Sequence, residues 1–73
     1  MITVYTKENC PHCVKAKNLL GGYGLEYAEI TIGKDISRED FLEMFPNIRT
    51  VPQVVMHGEH VGGYEDLAKR LAA

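Results

Sequence analysis

Cys10-Pro11-His12-Cys13 is the stretch of this 73-residue chain whose residue types and spacing could do chemistry. Thiol–disulfide exchange runs through the thiolate, so a cysteine with a stabilised anion attacks and one held protonated waits. Pro11 suits the first helical position, where its missing N–H would have had no intrahelical partner. Cys10 then falls at a helix N-terminus, where free N–H groups and the helix dipole favour negative charge. The sequence thus predicts a Cys10 pKa below the ordinary ~8.5, in the range of roughly 3.5–7.5 that such motifs show. Each unit of depression favours the anion by about 1.4 kcal/mol. Cys13 lies one turn further on, on the face expected to be buried. Cys10 is therefore the expected attacking thiol and Cys13 the resolving one. A protonated His12 would stabilise the reduced pair and make it more oxidising; a neutral one would only shape the site. Two other readings stand beside this one. The cysteines could be ordinary core residues, or zinc ligands together with His57 or His60. Against zinc, no second Cys/His pair occurs at short, motif-like spacing.

These residues need a frame. Ile2-Thr3-Val4-Tyr5 reads as a first strand, followed by the polar loop Thr6–Asn9. In the helix that starts at Cys10-Pro11, Cys13, Ala16, Lys17 and Leu20 share one face, with Leu19 beside them. Gly21-Gly22 and Gly24 are expected to end it. Leu25–Ile32 reads as a second strand, most securely over Tyr27–Ile30. Ser37 looks like a helix cap with Asp40 in a capping-box-like place, and Phe41, Leu42, Met44 and Phe45 supply that helix's apolar side. Pro46-Asn47 should terminate it. Gln53–Met56 is a third strand, His57-Gly58-Glu59 a tight turn, and His60-Val61 the core of a short fourth strand. After Gly62-Gly63, Glu65–Leu71 reads as a last helix with acidic residues in its first turn. The order β-α-β-α-β-β-α predicts an α/β fold. A right-handed parallel unit comes first and an antiparallel hairpin last, together forming a four-stranded mixed sheet flanked by three helices.

Length and composition narrow the class. A chain of 73 residues is read as one domain, 1–73, with a modest core. A Cys10–Cys13 bond would close a loop too short to be much of a staple, worth roughly 2 kcal/mol by chain entropy, which suits switching better than holding. The chain is 45% hydrophobic and 25% charged, with a net charge of −2 and no basic run. That gives no reason to expect nucleic acid or an anionic membrane as partner. No signal-peptide pattern and no span-length apolar stretch is visible. The expected setting is the cytoplasm, where a cysteine pair points to catalysis or metal binding before structure.

Three segments together resemble the dithiol glutaredoxins, most of all compact bacterial and phage members. They are Thr6-Lys7-x-x-Cys10-Pro11-x-Cys13, then Thr50-Val51-Pro52, then Gly62-Gly63-Tyr64-Glu65-Asp66-Leu67. The resemblance implies a thioredoxin-like (glutaredoxin) fold and a glutathione-dependent oxidoreductase acting on protein disulfides and glutathione mixed disulfides. Cys10 and Cys13 would be catalytic, with Pro11, His12 and Lys7 modulating them. Pro52 would be a cis-proline opposite Cys10, although on local sequence alone it could be a plain loop-to-strand turn. Val51 would present its backbone to the cysteine of glutathione like an added strand. Gly63, Tyr64, Glu65 and Asp66 would receive the γ-glutamyl end, with Glu65 or Asp66 on its ammonium group. Lys7 and Arg49 would face the glycine carboxylate or the thiolate, with His12 and Thr50 completing the set. Glutathione would be a co-substrate, with no bound cofactor and no metal. Disulfide-bearing or glutathionylated proteins, among them ribonucleotide reductase, would be the partners of a monomer. The chain departs from the family at His12, where Tyr is usual, and at Tyr64, where Cys or Ser is common. The second cysteine and Pro11 set it apart from the monothiol, iron–sulfur-handling branch. A redoxin served by thioredoxin reductase, or a non-catalytic metal or iron–sulfur module, are the competing functions.

Overall fold

β-Branched and aromatic residues favour a pleated, half-buried surface, and Ile2–Thr6 forms the interior strand β1. The computed structural model describes residues 1–73. After β1 come α1 (Pro11–Gly22), β2 (Ala28–Thr31), α2 (Arg38–Met44), β3 (Gln53–Met56), β4 (Glu59–Gly62) and α3 (Tyr64–Ala72). The sheet order is β2-β1-β3-β4. β1 runs parallel to β2, with Val4 opposite Glu29, and antiparallel to β3, with Val4 opposite Val54. β3 and β4 close the edge as an antiparallel hairpin. The element order and mixed sheet expected from the sequence are those observed.

Alternation along β1 separates two apolar layers. Ile2 and Val4 face α1 and α3, where they join Ala16, Leu20, Val54 and Leu67 in the core. Leu20 and Leu67 are fully buried, each contributing about 1.5–3 kcal/mol by the area it removes from water. Tyr5 points to the other face and meets Phe41 and Phe45 of the α2 region, with ring centroids 5.8 and 5.3 Å away. Phe45 continues the stack onto His60 at 4.8 Å. The beginning of α1 is therefore seated on a strand that is packed from both sides.

The helix ends depart from expectation in instructive ways. Gly21-Gly22 does not stop α1, which runs through both. The stop is Gly24, at φ +71°, where the left-handed conformation lets the chain turn back on itself. Gly24 N–H donates to the Gly21 carbonyl and Leu25 N–H to the Leu20 carbonyl, each at 3.0 Å. Carbonyls of the last turn are thereby engaged, that of Leu20 also accepting the Tyr23 N–H at 3.2 Å. β2 is shorter than Leu25–Ile32, because Leu25 belongs to this helix exit and Ile32 makes only an isolated bridge to Ile36. At α2, Ser37 Oγ accepts the Asp40 N–H at 3.0 Å as expected of a cap. The reciprocal half of a capping box forms at α3 instead, where Asp66 Oδ2 accepts the Gly63 N–H at 3.3 Å. Phe45 lies just past the end of α2 rather than on it. α3 starts one residue earlier than expected, at Tyr64, and reaches Ala72. The β3–β4 turn consists of His57 and Gly58, both at positive φ, so Glu59 already belongs to β4. No helix is long and apolar enough to cross a membrane.

Candidate active site

Pro11 sits at the start of α1, which leaves Cys10 as the N-cap residue in extended conformation. Its side chain does what a capping oxygen would do elsewhere: Cys10 Sγ accepts the Cys13 N–H at 3.2 Å. One sulfur therefore faces the free amides of the helix end, where a negative charge is most stabilised. Cys13 Sγ is joined to it in a disulfide, with Cα atoms 5.2 Å apart, inside the ~4.4–6.8 Å window that such bonds need. Cys13 is 2% exposed and Cys10 is more accessible. The greater burial expected for Cys13 is present in the fold.

Two further segments converge here. The Val51–Pro52 peptide bond is cis, and the Val51 carbonyl oxygen lies 3.8 Å from Cys10 Sγ. Pro52 is buried at the head of β3, and Gly63 at the start of α3 approaches its carbonyl. Between them runs an open groove of about 450 Å³. His12, Thr50, Val51, Pro52, Gly63, Tyr64, Glu65 and Asp66 all line it. Lys7 and Arg49 do not. Both border a second cavity beside Thr50 and Val51, and Lys7, on the loop after β1, also borders Cys10 and Cys13.

Sequence reasoning did not assign Ile48, Gln53 or His60 to the groove. Gln53 is 4% exposed. Its Nε2 donates to the Thr50 carbonyl at 3.0 Å, which turns Oε1 toward His60 Nε2, 2.7 Å away. The His60 Nε2–H therefore donates to Gln53, and the pair ties β4 to the loop before Pro52. A polar residue at the start of a strand, directly after a proline, was the available signal. Gly62 lines the groove as well. At φ +122° it adopts backbone that favours glycine, and an added Cβ would run into the Asp66 carboxylate. That carboxylate is seated over the backbone of Gly62 and Gly63, at the groove's end.

A polar cluster flanks the cysteines on the other side. Buried Thr6 donates from Oγ1 to Glu29 Oε2 at 2.7 Å, and Lys17 Nζ lies 3.0 Å from the same oxygen. The Thr6 hydroxyl first, and Lys17 second, hold the Glu29 carboxyl below its ordinary range. Lys17, expected on the apolar face of α1, thus reaches past it to an ion pair on β2. Nowhere do three His, Cys, Asp or Glu side chains converge as a metal cage would require.

Comparison with known proteins agrees with this geometry. The family model for glutaredoxin matches residues 2–61. The chain belongs to the glutaredoxin family. It is 35% identical over 66 residues to glutaredoxin 3 of Escherichia coli K12, covering 90% of this chain and 80% of that protein. It is 42% identical over 71 residues to the hybrid peroxiredoxin hyPrx5 of Haemophilus influenzae. That match takes in 97% of this chain but only 29% of the larger protein. The crystal structure of a buckwheat glutaredoxin–glutathione complex superimposes with a TM-score of 0.82 at 27% identity, over 97% of this chain and 67% of that one. The fold is thus the thioredoxin-like one of glutaredoxins, and a Cys-x-x-Cys pair on it is the apparatus of a thiol–disulfide oxidoreductase.

Proposed function

We propose that this glutaredoxin uses glutathione to reduce protein disulfides and glutathione mixed disulfides, with Cys10 attacking and Cys13 resolving. The observation that carries the reading is the Cys10 sulfur at the α1 N-cap, 3.8 Å from the backbone of a groove wall. The Cys10 thiolate attacks one sulfur of a substrate disulfide; a new S–S bond forms and the other substrate sulfur leaves as thiolate. Cys13, deprotonated, then attacks Cys10 Sγ, closing the intramolecular disulfide and releasing the second substrate thiolate. One glutathione thiolate reopens that bond at Cys10. A second attacks the glutathione sulfur, giving glutathione disulfide and the reduced pair. Two electrons pass, one from each glutathione. For a glutathionylated substrate Cys10 alone suffices.

Glutathione fits the groove by chemistry. Its cysteine pairs with the Val51 backbone as an added strand, and its γ-glutamyl carboxylate meets the first-turn amides of α3. Its ammonium meets Asp66 or Glu65. Pro11 and His12 modulate the thiolate from the α1 side. Lys7 and Arg49 would meet the glycine end from the neighbouring cavity, with Lys7 also beside the cysteines to modulate the thiolate. A ribonucleotide reductase is an acceptor of the right class, and a cytoplasmic monomer the working state.

Turnover with glutathione and its reductase, set against turnover with thioredoxin reductase, tests the reductant. Glutathione supports the faster cycle under this reading, and exclusive use of thioredoxin reductase overturns it. Asp66→Asn keeps an acceptor for the Gly63 amide but removes the charge. Losing one charge-assisted contact, about 1.5–3 kcal/mol, raises KM for a glutathione mixed disulfide by at least about tenfold, with kcat preserved. An unchanged KM removes Asp66 from the glutathione site.

A further inference from the structure

The cavity beyond Thr50–Val51 is larger than one glycine carboxylate requires. It encloses about 380 Å³ over a floor of Ile32, Phe41, Leu42 and Ile48. Lys7, Arg38 and Arg49 stand around it, and no carboxylate lines it. None of the three cations is in an ion pair; the two salt bridges of the protein, Lys17–Glu29 and Arg70–Glu59, lie elsewhere. In a chain of net charge −2, three unpaired cations around one apolar hollow make a local positive field. Val51 lines both this cavity and the groove. A strand laid along Val51 sends successive side chains to opposite faces. One then enters the groove, and its neighbour enters the cavity.

We infer that this cavity docks the segment beside the reactive cysteine in protein substrates, and that it selects an extended stretch with an apolar side chain between carboxylates. The apolar side chain seats over Phe41 and Leu42, and the carboxylates meet Arg38 and Arg49. The inference rests on the oxidoreductase reading for its purpose, but docking itself needs no cysteine, so the two can fail separately.

The test is an amide-shift titration of the oxidised full chain with two cysteine-free peptides, one carrying Leu between glutamates and the other Leu between lysines. The acidic peptide perturbs Phe41, Leu42 and Ile48 and binds at least about fivefold tighter, a margin that narrows as salt screens it. Arg38 is exposed and belongs to no part of the redox machinery. Arg38→Glu cancels the preference for the acidic peptide while leaving reduction of a small glutathione mixed disulfide unchanged. Equal binding of the two peptides, shifts confined to other faces, or an Arg38→Glu protein that keeps the preference overturns the inference. Failed disulfide turnover with intact peptide selectivity overturns the redox reading and leaves the docking site standing.

Discussion

The Cys10→Ser protein reduces neither protein disulfides nor glutathione mixed disulfides, its turnover falling to the uncatalysed background. A serine at the α1 N-cap still accepts the Cys13 N–H, so the fold persists while the nucleophile is gone. Cys13→Ser separates the two chemistries. It loses protein-disulfide reduction, because nothing closes a bond onto Cys10, and it keeps deglutathionylation, which needs one sulfur. Steady-state assays of both variants on both substrates check the assignment. Retained deglutathionylation in Cys10→Ser, or loss of it in Cys13→Ser, contradicts the roles.

Gly62→Ala is the most damaging small change outside the cysteines. The residue sits at φ +122°, and its missing side chain is the space the Asp66 carboxylate occupies. An alanine there brings backbone strain and pushes Asp66 off the Gly63 amide, together costing about 2–4 kcal/mol. At ~4–8 °C per kcal/mol for a chain of this size, the melting temperature drops by at least about 8 °C. KM for a glutathione mixed disulfide rises as well, since the displaced carboxylate belongs to the groove. Gly21→Ala is the control. That glycine lies within α1 with open space around it, so the same substitution stabilises by about 0.4–1 kcal/mol. Thermal melts of the two variants therefore move in opposite directions, and a parallel drop contradicts the account of Gly62.

The contrast between these glycines shows what a sequence carries. Cys10, Pro11 and Cys13 were legible because one short segment holds both the chemistry and the helix start that tunes it. The strands were legible because Val4, Val54 and their neighbours alternate or cluster as sheet residues must. Of the three glycines read as ending α1, Gly24 makes the left-handed stop, while Gly21 and Gly22 stay helical as the last two residues. Gln53 carried a signal in its place after Pro52, but its partner His60 did not. Their bond spans two strands, with His60 paired to Val55 and reaching diagonally to Gln53. Lys7 and Arg49, on the loops after β1 and after α2, both border the cavity beside Thr50–Val51, and Lys7 also borders the cysteines. That two loops so far apart in sequence meet there is a matter of tertiary folding, and composition does not encode it.

Thiolate absorbance of reduced Cys13→Ser protein, followed against pH, reads the anion at Cys10 with no second sulfur to confuse it. With the Cys13 amide and the α1 N-terminus facing that sulfur, half-conversion falls at least about one unit below the ordinary ~8.5. Half-conversion at or above that ordinary value would mean that the helix end does not stabilise the anion, and the mechanism drawn from it would be wrong.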